Sequence, residues 1–339
     1  MRYIFILSLA LSLFNVQPVE AKEELPFSGK SYIVMEASSQ QVLESKNEHH
    51  VQSVASISKI MTCIVAIENK DLDTKITVDD TINKAWGSGI YIHIGDTITL
   101  KDLLYGLMLR SGNDAAVMIA AGVSGSVDKF VEKMNEKAAA LEMEHTTFSN
   151  PTGLDEEDAG NRSCVYDMAK LMAYCHQNPI FNEIVDTKVY KRDDGNGSWK
   201  NKNRLLEEYE YCIGGKTGFT KKARRTLVTM ASKDDVDLII VTFNCGNDFD
   251  FHKSRYEKYY DLYKNTTILN KGIIDYKNQK YILDLDMYLN AMDQDKVDVS
   301  IKDDQVYVKI NGQIVMKKEV QPYTFMGGLV MVFKDLLHV

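Results

Sequence analysis

Three short polar strings break into apolar stretches of this chain: Ser56-Ile57-Ser58-Lys59, Ser111-Gly112-Asn113 and Lys216-Thr217-Gly218. Ser56 is followed by Ile57, Ile60, Met61, Ile64, Val65 and Ile67, an apolar pattern near helical spacing that places it at the first turn of a buried helix. Lys59, three residues on, returns to the same helix face. Leu103, Leu104, Leu107, Met108 and Leu109 lead into the second string, and an apolar helix resumes at Ala115, so Ser111 and Asn113 fall on a tight helix–helix connection able to face a cleft. The third string sits among Gly214, Gly215 and Gly218 ahead of the β-rich run Thr226-Leu227-Val228-Thr229-Met230. Those glycines strip side chains from a strand and let a substrate backbone lie against it.

Each string alone has a plain reading. Ser56 can be an ordinary N-cap with Lys59 solvated. Gly112 can be the left-handed residue of a helix–helix turn with Asp114 as the next N-cap, and the Lys216 string can be a turn. Their joint occurrence in this order makes coincidence a poor account, and together they resemble a serine acyl-transfer site. A serine hydroxyl is a poor nucleophile until a base takes its proton, and a lysine serves as that base only when its ammonium is made easy to deprotonate. Burial and a second cation both push that way, and Lys216 is the candidate second cation.

The strings match the signature of penicillin-binding proteins and class A β-lactamases. From about residue 31 to 263 the chain resembles the D-alanyl-D-alanine carboxypeptidases, the low-molecular-weight penicillin-binding proteins. It also carries Val54-Ala55 before Ser56, Leu103-Leu104-Tyr105-Gly106-Leu107, Asn113-Asp114-Ala115-Ala116, Asn150-Pro151-Thr152-Gly153-Leu154 and Tyr166-Asp167-Met168-Ala169. Val54 stands where proline is frequent, and Cys164-Val165 where Thr-Ala often follows Ser163. The Ala223-Arg224-Arg225-Thr226-Leu227-Val228 string, with Asn247-Asp248-Phe249-Asp250-Phe251-His252 beyond it, resembles the sporulation-associated branch.

The resemblance implies an α+β fold, an antiparallel sheet covered by helices, with the Lys216 strand lining the cleft. It also implies a set of roles. Ser56 attacks the carbonyl of the penultimate D-Ala, expels the terminal D-Ala and forms an acyl-enzyme that water releases. Lys59 is general base, Ser111 relays the proton to the leaving amine, and Asn113 holds the substrate amide. Lys216 supplies positive potential, Thr217 binds the terminal carboxylate, and the N–H groups of Ser56 and Phe219 bind the oxyanion beside Gly218. Arg225 joins this set by a strand argument. If the hairpin loop centres on Lys221, Arg225 lies directly opposite Thr217, shares its face and offers a guanidinium to a free carboxylate, while Arg224 points to solvent. In the other reading both arginines are surface charges of a basic turn with Lys221 and Lys222.

The substrates implied are peptidoglycan stem peptides ending in D-Ala-D-Ala, with β-lactams as inhibitors and no cofactor. Competing readings are an endopeptidase acting on cross-links, a class A-like β-lactamase and a non-catalytic β-lactam-binding wall protein. The β-lactamase needs a Glu-x-x-Leu-Asn string, which Glu156-Glu157-Asp158-Ala159-Gly160-Asn161 does not match. The silent binder is disfavoured by intact Ser56, Lys59 and Lys216.

The rest of the chain agrees. A net charge of −8 offers no basic footprint for nucleic acid. The seven histidines form no H-E-x-x-H pair and the five cysteines no C-x-x-C, so no metal site or disulfide framework is expected and the cysteines read as buried free thiols. At 339 residues two domains are expected, from a prior of about 100–200 residues each. Residues 1–21 read as a signal peptide, with Arg2, an apolar stretch over 3–16 and cleavage after Ala21, so the protein is expected to be exported to the outer face of the cytoplasmic membrane or the cell wall. The catalytic domain is read over 22–262. Residues 263–325 form a small β-rich domain, because alternating runs replace long helical patterns and Asn311-Gly312 signals a hairpin. The apolar tail 326–339 is too short to span a bilayer. It either lies in the membrane interface, as the resemblance suggests, or packs on the β domain.

Overall fold

The computed structural model describes residues 25–155, 160–192, 195, 197–292 and 295–324. The signal peptide read over 1–21, the tail read over 326–339 and residues 156–159 lie outside the described residues. At the centre is a five-stranded antiparallel sheet in the order Val42–Lys46, Ser31–Glu36, Val236–Phe243, Arg224–Lys233, Cys212–Thr220. Successive side chains of a strand point to opposite faces, and here both faces are covered. Ile33, Met35, Val228, Met230, Ile239 and Val241 pack in one core with the helices Lys59–Asn69, Leu100–Arg110, Asn113–Ser124 and Val165–His176. Val34, Leu227, Ala231, Leu238 and Ile240 alternate with them and pack against Phe249, Tyr256 and Tyr259 of the helix Asp248–Leu262. The result is the α+β arrangement of helices on an antiparallel sheet that the sequence implied.

The helix Lys59–Asn69 is buried at every position from Lys59 to Ala66, which is why its sequence is apolar nearly all round. The sequence patterning over 127–141 and 165–177 is helical, and the helices run Val127–Ala140 and Val165–His176. The first is capped by Ser126, whose hydroxyl accepts from Lys129 N, and the second is followed by Asn178 and Pro179, which open the next helix. All five cysteines are buried and free.

From Tyr263 onward the described chain is β-structure with its own core of Leu283, Met287, Leu289, Val306, Val308 and Ile310. Strands Val297–Lys302, Gln305–Ile310 and Gln313–Glu319 form an antiparallel meander. Asn311 (φ 51°) and Gly312 (φ 89°) occupy the two positive-φ positions of its last turn, the conformation for which Asn-Gly is favoured.

Between the sheet and the helix Asp248–Leu262 lies His252, with no exposed surface. Its Nδ1 is 2.6 Å from Thr229 Oγ1 and its Nε2 3.0 Å from Thr242 Oγ1. Burial lowers its pKa from 6.5 to about 3, so the folded protein holds a neutral ring. The unfolded chain binds a proton below 6.5 and the folded one resists it down to about 3. The stability this provides is therefore complete above pH 6.5 and is lost as pH falls through that window. Thermal melts should show Tm falling across it, with a shallower fall in His252→Asn; an equal slope in that variant would assign the acid sensitivity to other groups.

Candidate active site

The three strings converge at one end of the sheet. Residues Ala55–Ser58 form a single 3₁₀ turn that runs into the helix Lys59–Asn69, so Ser56 sits just ahead of the α-helix and not within its first turn. One local and one tertiary contact fix that turn. Ser58 Oγ donates to Ala55 O at 2.6 Å, Thr226 Oγ1 donates to Val54 O at 2.9 Å, and Ala55 is held at φ 53°. Two glycines let neighbours close on it. A Cβ on Gly153 (φ 80°) would stand 2.1 Å from Ala55 O, and one on Gly218 would stand 3.0 Å from Ser56 N and 2.4 Å from Thr226 Oγ1. Gly218 thus brings the edge strand beside the Ser56 amide.

Lys59 is fully buried. Its Nζ lies 3.2 Å from Ser56 Oγ, donates to Asn113 Oδ1 at 2.7 Å and donates to Thr152 O. Burial pushes its pKa well below the ordinary lysine value, and the nearby Lys216 and Lys202 ammoniums push further in the same direction. Lys216 points to the same side of the sheet as the helix Lys59–Asn69, since it pairs with Val228, which packs in the core with that helix. It is also buried, and burial together with Lys202 lowers its pKa to about 7. A neutral amine within hydrogen-bonding distance of a serine hydroxyl can accept its proton.

The helix break differs in detail from the plain reading of its sequence. The left-handed residue is Ser111 (φ 62°), not Gly112, which lies at φ −60° as the N-cap of Asn113–Ser124. Asp114 is not that cap either. It lies in the first turn, and its buried carboxylate accepts from Ile90 N at 2.9 Å and Tyr91 N at 2.8 Å. Asn113, buried, accepts from Lys59 and donates to Trp86 O at 2.5 Å.

The register at Arg225 also differs from the sequence expectation. Thr217 pairs with Leu227, and Arg225 with Phe219. The hairpin centres on Lys222 because it closes through Lys221-Lys222-Ala223, with Ala223 N bonded to Thr220 Oγ1 at 3.0 Å and Arg224 at φ 61°. A positive-φ residue after the turn is characteristic of three-residue hairpins. Arg225 is therefore diagonal to Thr217 on the same face, two pairs nearer the tip, and makes two bonds to the buried Asp248 carboxylate, from Nε at 3.1 Å and Nη2 at 2.8 Å. Arg224 is exposed.

Ser56, Ser111, Thr217, Gly218, Phe219 and Arg225 line one cleft of about 350 Å³, joined by Ser88, Lys202, Thr226, Asp248 and Phe249. Lys59, Lys216 and Asn113 lie beneath it. Sequence reasoning missed Lys202, because a single lysine in the mixed run Lys200-Asn201-Lys202-Asn203-Arg204 carries no periodic signal. It also gave no role to the Asn150-Pro151-Thr152-Gly153 turn. There Asn150 Oδ1 accepts from Thr152 N (3.1 Å), Thr152 Oγ1 (2.8 Å) and Gly153 N (2.8 Å), and this fixes the carbonyl that receives Lys59.

A family model described as D-alanyl-D-alanine carboxypeptidase matches residues 18–247. The chain belongs to the D-alanyl-D-alanine carboxypeptidase family. It is 33% identical over 297 residues to the D-alanyl-D-alanine carboxypeptidase DacF of Bacillus subtilis, covering 82% of this chain and 76% of that protein. A D-alanyl-D-alanine carboxypeptidase structure from Mycobacterium tuberculosis superposes with a TM-score of 0.67 at 29% identity, over 73% of this chain and 97% of that one. Penicillin-binding protein 5 from Haemophilus influenzae, at 22% identity, shares the fold over 90% of this chain and 99% of its own, with a TM-score of 0.73. This carboxypeptidase family chain is thus a serine-type hydrolase of peptidoglycan peptides.

Because Lys202 lowers the pKa of both buried lysines, removing its charge raises them. In Lys202→Gln the acid limb of a β-lactam acylation–pH profile should move to higher pH, read by stopped-flow with a chromogenic cephalosporin. A limb that stays in place would show that Lys202 is screened from Lys59.

Proposed function

We propose that Ser56 is the nucleophile of a DD-carboxypeptidase reaction and that Lys59 is its general base. The observation that carries this reading is the buried, depressed-pKa amine of Lys59 3.2 Å from Ser56 Oγ. Lys59 takes the hydroxyl proton as Oγ bonds the carbonyl carbon of the penultimate D-Ala. The carbonyl oxygen becomes an oxyanion between the N–H groups of Ser56 and Phe219, and collapse of the adduct breaks the C–N bond. Ser111 passes a proton to the departing D-Ala amine, and water then displaces Ser56. Asn113 holds the substrate amide, and Gly218 leaves the strand backbone open to it.

The terminal carboxylate is read by Thr217 with Arg225, whose side chain is half exposed and keeps donors beyond the two given to Asp248. Lys216 and Lys202 add positive potential to the same cleft. Export and a C-terminal membrane contact belong to this reading too. Their support is the sequence of residues 1–21 and 326–339 and the location of peptidoglycan outside the cytoplasm; no helix among the described residues is long and apolar enough to cross a membrane.

The mature protein should release D-Ala from diacetyl-Lys-D-Ala-D-Ala, and fluorescent penicillin should label Ser56. Ser56→Ala should abolish labelling, and Lys59→Ala should slow acylation by about 10² to 10⁴. An adduct mapped to another residue, or near-normal acylation in a folded Lys59→Ala protein, would overturn the assignment.

Arg225→Ala should lower kcat/KM for peptides ending in free D-Ala by roughly tenfold or more, given about 1.5–3 kcal/mol for a hydrogen bond to a charged group. Peptides with an amidated C-terminus should be poor substrates of the wild type and lose little further in the variant. Equal losses on both would make Arg225 a brace for the hairpin through Asp248.

A further inference from the structure

Beyond the Ser111 and Lys202 edge of the cleft lies a second groove, of about 480 Å³. It is lined by Gly89, Ile90, Tyr91 and Arg110, and by the Val189 and Ser198–Lys200 strands on its other side. The two hollows share their walls. Ser88, Ser111 and Lys202 face the cleft, while Gly89, Arg110 and Lys200, one or two residues along the same segments, face the groove.

Two features mark the groove as built for a ligand. The first is uncompensated charge. Among the described residues neither Arg110 nor Lys202 has an acidic partner, and Arg110 makes only a 3.5 Å bond to Lys200 O. Lys200 is paired with Glu207 at 2.9 Å, so among the described residues that line the groove the positive charge without an acidic partner is that of Arg110. This lies in a protein of net charge −8. The second is a held strain. Tyr91 stands at φ 62°, an outlier for a bulky residue, because the buried Asp114 carboxylate binds the amides of Ile90 and Tyr91. The cost displays an aromatic ring, 79% exposed, on the groove wall.

We propose that this groove is a subsite for a carboxylate-bearing peptide segment on the leaving-group side of the scissile bond, so that the site accepts acidic segments longer than a single D-Ala. This rests on the reading above that Ser111 faces the leaving amine. The chemistry is unchanged: Ser56 Oγ bonds the D-Ala carbonyl carbon, the C–N bond breaks, the amine of the longer segment takes the proton, and water later releases the acyl group. Arg110 binds the carboxylate of the departing segment through its planar fork of donors, and Tyr91 packs on its backbone.

The test compares diacetyl-Lys-D-Ala-D-Ala-D-Glu with its D-Gln counterpart, which differ by one carboxylate, using release of the leaving dipeptide as the readout. The wild type should favour the D-Glu peptide roughly tenfold or more in kcat/KM, in keeping with one charged hydrogen bond. Arg110→Gln should bring that ratio near one and Arg110→Lys should restore part of it, with penicillin labelling of Ser56 reporting an intact cleft in both. A wild-type ratio near one, a preference that survives in Arg110→Gln, or no cleavage of either long peptide while diacetyl-Lys-D-Ala-D-Ala is cleaved would overturn the subsite alone. No cleavage of any of the three would overturn the catalytic reading and the subsite with it.

Discussion

The amine of Lys59 is taken out of water and met by oxygens that carry no charge: Ser56 Oγ, Asn113 Oδ1 and the Thr152 carbonyl. Charging a group in such a place is costly unless an anion is beside it, and the nearest strong influences are the cations of Lys216 and Lys202. Holding a lysine there with its pKa pushed down makes demands on distant parts of the chain. The break between Leu100–Arg110 and Asn113–Ser124 must place Asn113, the Asn150 turn must aim Thr152 O, and the edge strand must approach closely enough to need Gly218. The two-sided core of the sheet supplies the rigidity these positions share.

The same electrostatics extends outward from the cleft. Lys59, Lys216, Lys202 and Arg110 follow one another from beneath Ser56 to the outer groove, and each that titrates within reach of the others has its ammonium disfavoured. In a protein of net charge −8, cations that have no acidic partner among the described residues and stand this close together favour an anionic ligand. Arg225 is the exception, because Asp248 neutralises part of it and fixes its orientation, so its contribution is directional more than electrostatic.

Much of the site was legible because its chemistry demands residue types that are improbable together. A serine and a lysine three apart on one helix face, a Ser-Gly-Asn break and a Lys-Thr-Gly strand are local patterns, and local patterns survive in a linear sequence. The details that went astray depend on backbone conformation. Whether Ser111 or Gly112 takes the left-handed position is decided by the packing of two helices and by the grip of Asp114 on Ile90 and Tyr91. The hairpin register at Arg225 is decided by a three-residue loop that residue identities did not reveal. Lys202 and the Asn150 turn were invisible as functional groups, since their significance is their distance from Lys59.

The sequence by itself determined the alternation that divides the sheet's side chains between two covers, the helices over 127–140 and 165–176, the Asn311-Gly312 turn and the three reactive strings. These follow from short-range periodicity and turn chemistry, which neighbours in the chain dictate. Tertiary structure alone decided that Lys59 is buried, that Lys216 and Lys202 stand close enough to depress it, and that Arg225 leans on Asp248. Burial and Coulomb interaction depend on distances through space, and segments well separated in the chain acquire those distances only when the sheet and its helices close on one another.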